Sequence, residues 1–343
     1  MSLLILKTVA TICFVAGKSG GHLIPCTTKA QQLLQKNYKV CLFSAGSELD
    51  KQILNKHPKI KQLCPTELEN IPQEWWKLPW FLCKVGYYFC TSCYFLYKIK
   101  PEKIVSFGGL VSVPVCLAGK LLGIPLELHE LNVEPGRAIN FSARFTNNIH
   151  IYFPESAQYF PKHNTILDQY PIRFTEKDTE FDRETLAKQF NLDPQKQTIL
   201  ILGGSQGSVS LNQIIKSYVL ENPEIVDQIQ IIHQTGAQDS EDYADFYKKQ
   251  GITAHVCSFY SALENFYNLS DLIICRAGSG TIFETRFFKK PAIVIPHETT
   301  STKHQILNAE SMMRSYPGQF FMVREKDCST KLLTEKIKTM LEA

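Results

Sequence analysis

The sequence predicts an α/β protein of two Rossmann-like, doubly wound domains facing a cleft. Three observations carry this expectation: the chain length, two separate series of short apolar runs alternating with helical patterns, and glycine turns that follow apolar runs directly in both series.

At 343 residues the chain is long enough for two domains, each with its own core. Apolar residues make up 44% of it, as in ordinary globular proteins, and a net charge of +4 does not call for a nucleic-acid partner, although a local basic patch suits anionic lipid. The eleven cysteines are scattered from Cys13 to Cys328 with one close pair, Cys90 and Cys93, and no second pair or neighbouring histidines to complete a zinc site. They read as reduced thiols of a cytosolic compartment, and neither a metal nor a cofactor is expected. The opening "MSLLILKTVATICFVAG" resembles a secretory signal. Its Lys interrupts the apolar run, however, and cleavage would remove the strand that carries the first glycine turn, so a first core strand is the better reading.

The first series runs through "VCLFSAG", "KIVSFGG", "PLELHEL" and "HIYFPES", with helical patterns such as "KQILNKHP" and "SVPVCLAGKLLG" between them. After residue 170 the alternation restarts with "TILILGGSQG", "IQIIHQTG", "HVCSFYS", "LIICRAGSG", "PAIVIPHE" and "GQFFMVRE". This pattern implies parallel sheets covered by helices on both faces, with a first domain over 1–165 and a second over 166–326. The stretch from Pro161 to Asp182, with two prolines and no strong period, is the expected linker. Ligands of such sheets bind beyond the carboxyl ends of the strands, and a cleft between two such domains could hold two substrates.

The loop "AGKSGGH" at 16–22 contains Gly-Lys-Ser, but Ile12 stands where a P-loop needs its first glycine, and Gly17, Gly20 and Gly21 do not fit the dinucleotide spacing. What remains is a strand, a flexible turn and His22 at the start of a helix, either a base presented to a ligand or a helix cap. In "ILILGGSQGSVSLNQII" a buried strand runs into Gly203, Gly204, Ser205, Gln206 and Gly207 before a helix, whose N–H groups and dipole favour a diphosphate. "CRAGSGTIFE" repeats the design, with Glu284 set either to accept ribose hydroxyls or to compensate the helix dipole. Gln305 and Asn308 share a helical face that could meet a ring of hydroxyls or simply be solvated.

In order and spacing, Gly17 to His22, "GGLVSVP", "HELN", "GGSQG", "RAGSGTIFE" and "HQILNAE" resemble the MurG family, over roughly residues 8–325. The resemblance implies a two-domain glycosyltransferase of the GT-B type whose last helix, over 327–343, crosses back to the first domain. It implies an inverting transfer of N-acetylglucosamine from UDP-N-acetylglucosamine to lipid I, the undecaprenyl-diphosphate-linked muramoyl peptide, giving lipid II for peptidoglycan. The donor residues it implies are Arg173, Gly204, Ser205, Gln206, Gly207, Phe259, Tyr260, Ala277, Gly278, Thr281, Glu284, Gln305 and Asn308. The acceptor residues are Ser19, Gly20, Gly21, Gly108, Gly109, Ser112, His129 and Asn132. His22 resembles the family's general base, with Glu130 as a rival base or a structural carboxylate. Lys18, Ser19, Leu110 and Ile139 depart from the family pattern, all on the acceptor side. A UDP-N-acetylglucosamine 2-epimerase, a diacylglycerol-directed transferase and an inactive cell-wall scaffold are the alternatives. Other cell-wall synthesis proteins are further partners to expect.

The segment "PQEWWKLPWFLCKVGYYFCTSCYFLYKIKPEK" holds all three tryptophans. On a helix, Lys84, Tyr87, Tyr88, Thr91, Tyr94, Phe95 and Lys98 form one stripe, and Leu82, Val85, Phe89, Cys93 and Leu96 another that can pack on the sheet. The first stripe suits an anionic membrane surface, which with the resemblance implies peripheral attachment to the cytoplasmic face of the inner membrane.

Overall fold

The computed structural model describes residues 10–64, 66–68, 71–72, 74–204, 207–237, 239, 241–299 and 302–342. The chain divides into two compact units, Met1–Arg173 and Phe174–Ala343.

The first unit runs β1 (Thr11–Val15), α1 (Gly20–Gln35), β2 (Lys39–Phe43), α2 (Glu48–Asn55), β3 (Lys61–Gln62), α3 (Leu78–Ile99), β4 (Lys103–Ser106), α4 (Ser112–Leu121), β5 (Leu126–Glu130), α5 (Arg137–Ser142), β6 (Ile149–Ile151) and β7 (Thr165–Leu167). All seven strands are parallel, in the order β3-β2-β1-β4-β5-β6-β7. The central strands are short and buried on both faces, as a parallel sheet between helix layers requires; β1 is an apolar run, whereas β5 buries Glu127, His129 and Glu130 among its leucines. β1, the run that resembles a signal, is a central strand paired with both β2 and β4.

The second unit runs α6 (Arg183–Gln189), β8 (Gln197–Leu202), α7 (Val209–Glu221), β9 (Ile229–Gln234), α8 (Tyr243–Lys249), β10 (Ala254–Cys257), α9 (Leu263–Leu269), β11 (Leu272–Cys275), α10 (Ser279–Phe287), β12 (Ala292–Val294), α11 (His304–Ser315), β13 (Phe320–Met322) and α12 (Thr330–Leu341). Its six parallel strands follow the order β10-β9-β8-β11-β12-β13. Each sheet therefore has one point where the strand order reverses: between β1 and β4 in the first, between β8 and β11 in the second. Loops leaving the carboxyl ends on either side of such a point diverge and frame a crevice.

Several expectations need correction. β7 lies inside the stretch read as linker, and the division falls at 173/174 instead of 165/166. Three residues with two exposed side chains carry no period, so this edge strand is marked by its pairing to β6 alone. The last helix is built into the second unit. Leu333 and Ile337 of α12 are buried in its core with Leu211, Ile215 and Leu272, and the Thr334 hydroxyl donates to Asn222 Oδ1. An apolar stripe specifies that a helix packs, not which surface receives it.

The packing stripe of α3 is also rotated from expectation. Ser92 and Leu96 are its buried residues, and Phe89, Cys93, Phe95 and Ile99 pack beside them. Leu82, expected on that stripe, is exposed. Phe95 turns inward, edge-on to Phe43, and the Tyr88 hydroxyl accepts from the Glu67 N–H. The outward face carries Trp80, Cys83, Tyr87, Cys90, Tyr94 and Tyr97, preceded by the exposed Trp75 and Trp76 in the turn before the helix. No helix among the described residues is long and apolar enough to cross a membrane.

The placement of α12 yields a measurable consequence. Leu333→Ala removes a fully buried side chain and is expected to destabilise the second unit by about 2–5 kcal/mol. Hydrogen exchange followed by peptide should show faster exchange in β8, β11 and α7, with β1, β4 and β5 unchanged.

Candidate functional site

The switch point of the first unit is closed by backbone packed on backbone. The turn after β1 brings Gly17 against Gly109 in the turn after β4, so that a Cβ on Gly109 would lie 2.4 Å from Gly17 Cα. Gly108 and Gly109 both have φ of +80°, a conformation L side chains rarely adopt. The "GGLVS" and "SGGH" motifs are thereby brought together. Ser19 stands at the N-cap of α1, yet its hydroxyl makes no cap bond to an N–H; it lies 2.8 Å from Nδ1 of His22, one turn into the helix. An N-cap serine normally binds a backbone N–H of the first turn, so this hydroxyl has been diverted to orient an imidazole. His22 is half-buried, and Gly20 and Gly21 form the first residues of the helix beside it.

Other residues of the first unit expected to face a ligand are engaged internally. Ser112 is fully buried and its hydroxyl donates to the Gly109 carbonyl at 2.7 Å, supporting the glycine turn. His129 is fully buried too, stacked between Phe107 and His150 at 4.6 Å from each. Its Nε2–H donates to Glu127 Oε1 at 2.8 Å, and Nδ1 accepts from the Tyr152 hydroxyl at 2.6 Å. This is the neutral tautomer, and burial pushes its pKa down to about 4. Burial opposes ionisation of Glu127, but its bonds to His129 and Lys103 prevail and hold the carboxyl well below the usual range.

Of the two readings of Glu130, the structure displays that of a carboxylate anchoring a loop. It is 3% exposed, with Oε1 accepting from the Asn132 N–H at 2.8 Å and Oε2 from the Gly136 N–H at 2.9 Å. Gly136 is the N-cap of α5, so one carboxylate fixes the whole turn from β5 to that helix, Asn132 included. Burial raises its pKa to about 7.

In the second unit the turn after β8 is equally tight. A Cβ on Gly203 would sit 2.6 Å from the Ser208 nitrogen, and one on Gly207 (φ +78°) 2.3 Å from the Thr235 carbonyl oxygen. Gly204 has φ of +90°. Ser205 and Gln206 lie outside the described residues. Ser208 caps α7, its hydroxyl accepting from the Leu211 N–H. Gln234, at the carboxyl end of β9, went unnoticed in the sequence. Its amide donates to the Gly204 carbonyl at 3.4 Å and accepts from the Tyr260 N–H at 3.1 Å, linking the glycine turn to the segment expected to edge uracil. There Phe259 is exposed, and Tyr260 stacks on Phe266.

The turn after β11 presents Ala277, then Gly278 as the N-cap of α10, with Thr281 half-buried in its first turn. Glu284 is mostly buried, and its Oε2 accepts from the Tyr267 hydroxyl at 3.1 Å. Gln305 and Asn308 do lie on one helix, but their roles diverge. Gln305 is half-buried and accepts from the His297 N–H at 3.0 Å. Asn308 is fully buried and donates to the Ala277 carbonyl at 3.2 Å, so it supports that turn instead of being a solvated surface residue. Arg173 is half-buried and is the last residue of the first unit, apart in the chain from the other donor residues.

With this geometry in view, the likeness to known proteins is specific. Residues 12–151 match the glycosyltransferase family 28 N-terminal domain, and residues 198–343 match its C-terminal domain. The UDP-N-acetylglucosamine--N-acetylmuramyl-(pentapeptide) pyrophosphoryl-undecaprenol N-acetylglucosamine transferase of Trichlorobacter lovleyi is 30% identical, over 95% of this chain and 88% of the relative. That of Geobacter metallireducens is 28% identical, over 96% and 89%. Among solved structures, Acinetobacter baumannii MurG aligns with a TM-score of 0.72 at 24% identity, covering 97% of this chain and 91% of that one. A Medicago truncatula protein complexed with UDP-glucose aligns at 0.68 and 15% identity, covering 97% and 90%. The fold is the GT-B type of two Rossmann-like domains.

The two buried titrating groups near β5 pull stability in opposite directions. His129 stays neutral in the fold while the unfolded chain takes up a proton below about 6.5, so its contribution is lost as pH falls from 6.5 to about 4. Glu130 takes up a proton in the fold near 7 but in the unfolded chain only near 4.5, so its contribution grows as pH falls across that window. Each contribution is about 3 kcal/mol at most. Urea unfolding at pH 7.5 and 4.5 should show acid loss reduced in His129→Gln and increased in Glu130→Gln, each relative to the parent chain.

Proposed function

Because the chain belongs to the MurG family within glycosyltransferase family 28, we propose that it transfers N-acetylglucosamine from UDP-N-acetylglucosamine to the 4-hydroxyl of the muramoyl sugar of lipid I, forming lipid II for peptidoglycan. The observation that carries this reading beyond family likeness is His22, held by the Ser19 hydroxyl at the glycine-lined switch point of the first unit. With Nδ1–H donating to Ser19 Oγ, the basic lone pair is on Nε2. That nitrogen takes the proton of the acceptor hydroxyl as its oxygen attacks the anomeric carbon. The bond from that carbon to the diphosphate breaks, UDP leaves, and the configuration inverts.

The donor belongs to the second unit. The glycine turn Gly203–Ser208 and the N-terminus of α7 receive the diphosphate, whose leaving charge is met by backbone N–H groups and the helix dipole. The turn at Ala277–Gly278 and Thr281 takes the sugar-nucleotide edge, Glu284 exchanges its Tyr267 bond for the ribose hydroxyls, and Gln305 reads the N-acetylglucosamine ring. Phe259 and Tyr260 edge the uracil, and Arg173 completes the nucleotide contacts. On the acceptor side, Ser19 to Gly21, Gly108 to Gly109 and the Glu130-held turn bearing Asn132 receive the lipid-linked diphosphate sugar.

The outward face of α3 supports peripheral attachment, which we place at the cytoplasmic face of the membrane because the substrates of the proposed reaction call for it. Trp80, Tyr87, Tyr94 and Tyr97 expose aromatic rings along one stripe, preceded by Trp76 and with Lys77 and Lys98 at its two ends, the composition that settles among anionic headgroups.

Two experiments test this. Purified protein given radiolabelled UDP-N-acetylglucosamine and a lipid I analogue should move label into lipid, and His22→Ala should lower kcat by about 10²–10⁴-fold with the donor KM little changed. Label released as the epimer, label transferred to diacylglycerol, or binding without turnover would each contradict the reading. Sedimentation with vesicles containing anionic lipid should recover the protein, and Trp80→Ser with Tyr87→Ser should weaken that binding by about tenfold or more.

A further inference from the structure

Arg276 immediately follows β11 and is 4% exposed. Its guanidinium is shared among the segments that follow three of the other five strands of the sheet, β8, β12 and β13. Nε donates to Ser208 Oγ at 2.9 Å and Nη2 to Ser210 Oγ at 2.6 Å, both at the start of the helix that follows β8. Nη1 donates to the carbonyls of Ile295 and Pro296, at 3.0 and 3.5 Å, just after β12. Nη2 also donates to Glu325 Oε1 at 2.9 Å, just after β13. The five N–H groups of a planar fork thus tie four loops that share no continuous stretch of chain.

The geometry points to Arg276 as the positioning residue of the donor site, a role that rests on the reading of the second unit given above. It bridges the β8/β11 switch point, where ligands of such sheets bind, and it fixes the first turn of α7 from behind. It is nine-tenths buried and holds loops in place without itself meeting the nucleotide. An anion site made of backbone N–H groups works only if those groups are already aimed, and a displacement of about 1 Å is worth on the order of 10²-fold. Burying an arginine with its full set of partners satisfied gives the four loops one rigid arrangement.

The test is titration calorimetry with UDP and UDP-N-acetylglucosamine on the full chain, with steady-state kinetics beside it. Arg276→Lys keeps the charge but not the fork, and Ser210→Ala removes one contact with little risk to the fold. Arg276→Lys should weaken UDP binding by about 10–100-fold and Ser210→Ala by about threefold, raising the donor KM while the acceptor KM stays unchanged. The double variant should bind no more weakly than Arg276→Lys alone, because both changes act through one network. Unchanged UDP binding in a folded Arg276→Lys, or donor and acceptor constants rising together with a lowered melting temperature, would overturn the role. Should Arg276→Lys not fold, unchanged binding by Ser210→Ala overturns it. Failure of the unaltered chain to bind UDP is a separate result, which removes the donor-site reading itself.

Discussion

The constraint on which the rest depends is the reversal of strand order at the middle of each parallel sheet. A parallel strand must be followed by a crossover of one hand, so helices leave in opposite directions on either side of the reversal and their preceding loops part. Both units place their glycine turns there: the turns after β1 and β4 in the first, those after β8 and β11 in the second. The chemistry at each is different, but the geometric reason for a site is the same.

The two reversals are closed by different means. In the first, Gly17 and Gly109 touch backbone to backbone, and no side chain larger than hydrogen fits between them. In the second, a guanidinium spans the gap between Ser208 and the loops after β12 and β13. Beside the glycine contact the Ser19 hydroxyl holds the His22 ring, whereas the arginine braces the start of the helix that follows β8. Around both, polar side chains are directed inward. Glu130 and Asn308 each hold a turn by its backbone, and His129 bonds Glu127 and Tyr152 within the first sheet.

Much of this was legible in the sequence for physical reasons. Strands of a covered parallel sheet are rich in apolar residues, so β1, β2, β4, β6 and β8 to β13 stood out, as did β5 despite its Glu127, His129 and Glu130, and glycine directly after such a run marks a turn where backbone comes close to something. His22 stood out as an imidazole on one of those turns, and the structure shows it bonded to Ser19. Residue type alone, however, does not say whether a polar side chain meets a ligand or the chain itself. Ser112, His129, Glu130 and Asn308 all look like binding residues, and each is bonded to a neighbouring backbone group or ring, which their type and spacing do not foretell. Arg276 and Gln234 were missed for the converse reason. Their partners lie tens of residues away, at Ser208 and Glu325 and at Gly204 and Tyr260, and no local spacing encodes such contacts. The short edge strands β3 and β7, and the surface that receives α12, are set by tertiary pairing in the same way.

The central claim is that the carboxyl edge of the second sheet, at its reversal point, is where the uridine diphosphate sugar is held. A crystal structure of the chain with UDP-N-acetylglucosamine tests it most directly. Density for the diphosphate is expected against the backbone of Gly203 to Ser208 at the start of α7, with the ribose at Glu284. A nucleotide lying at the amino-terminal edge of that sheet, or bound to the first unit, would contradict it.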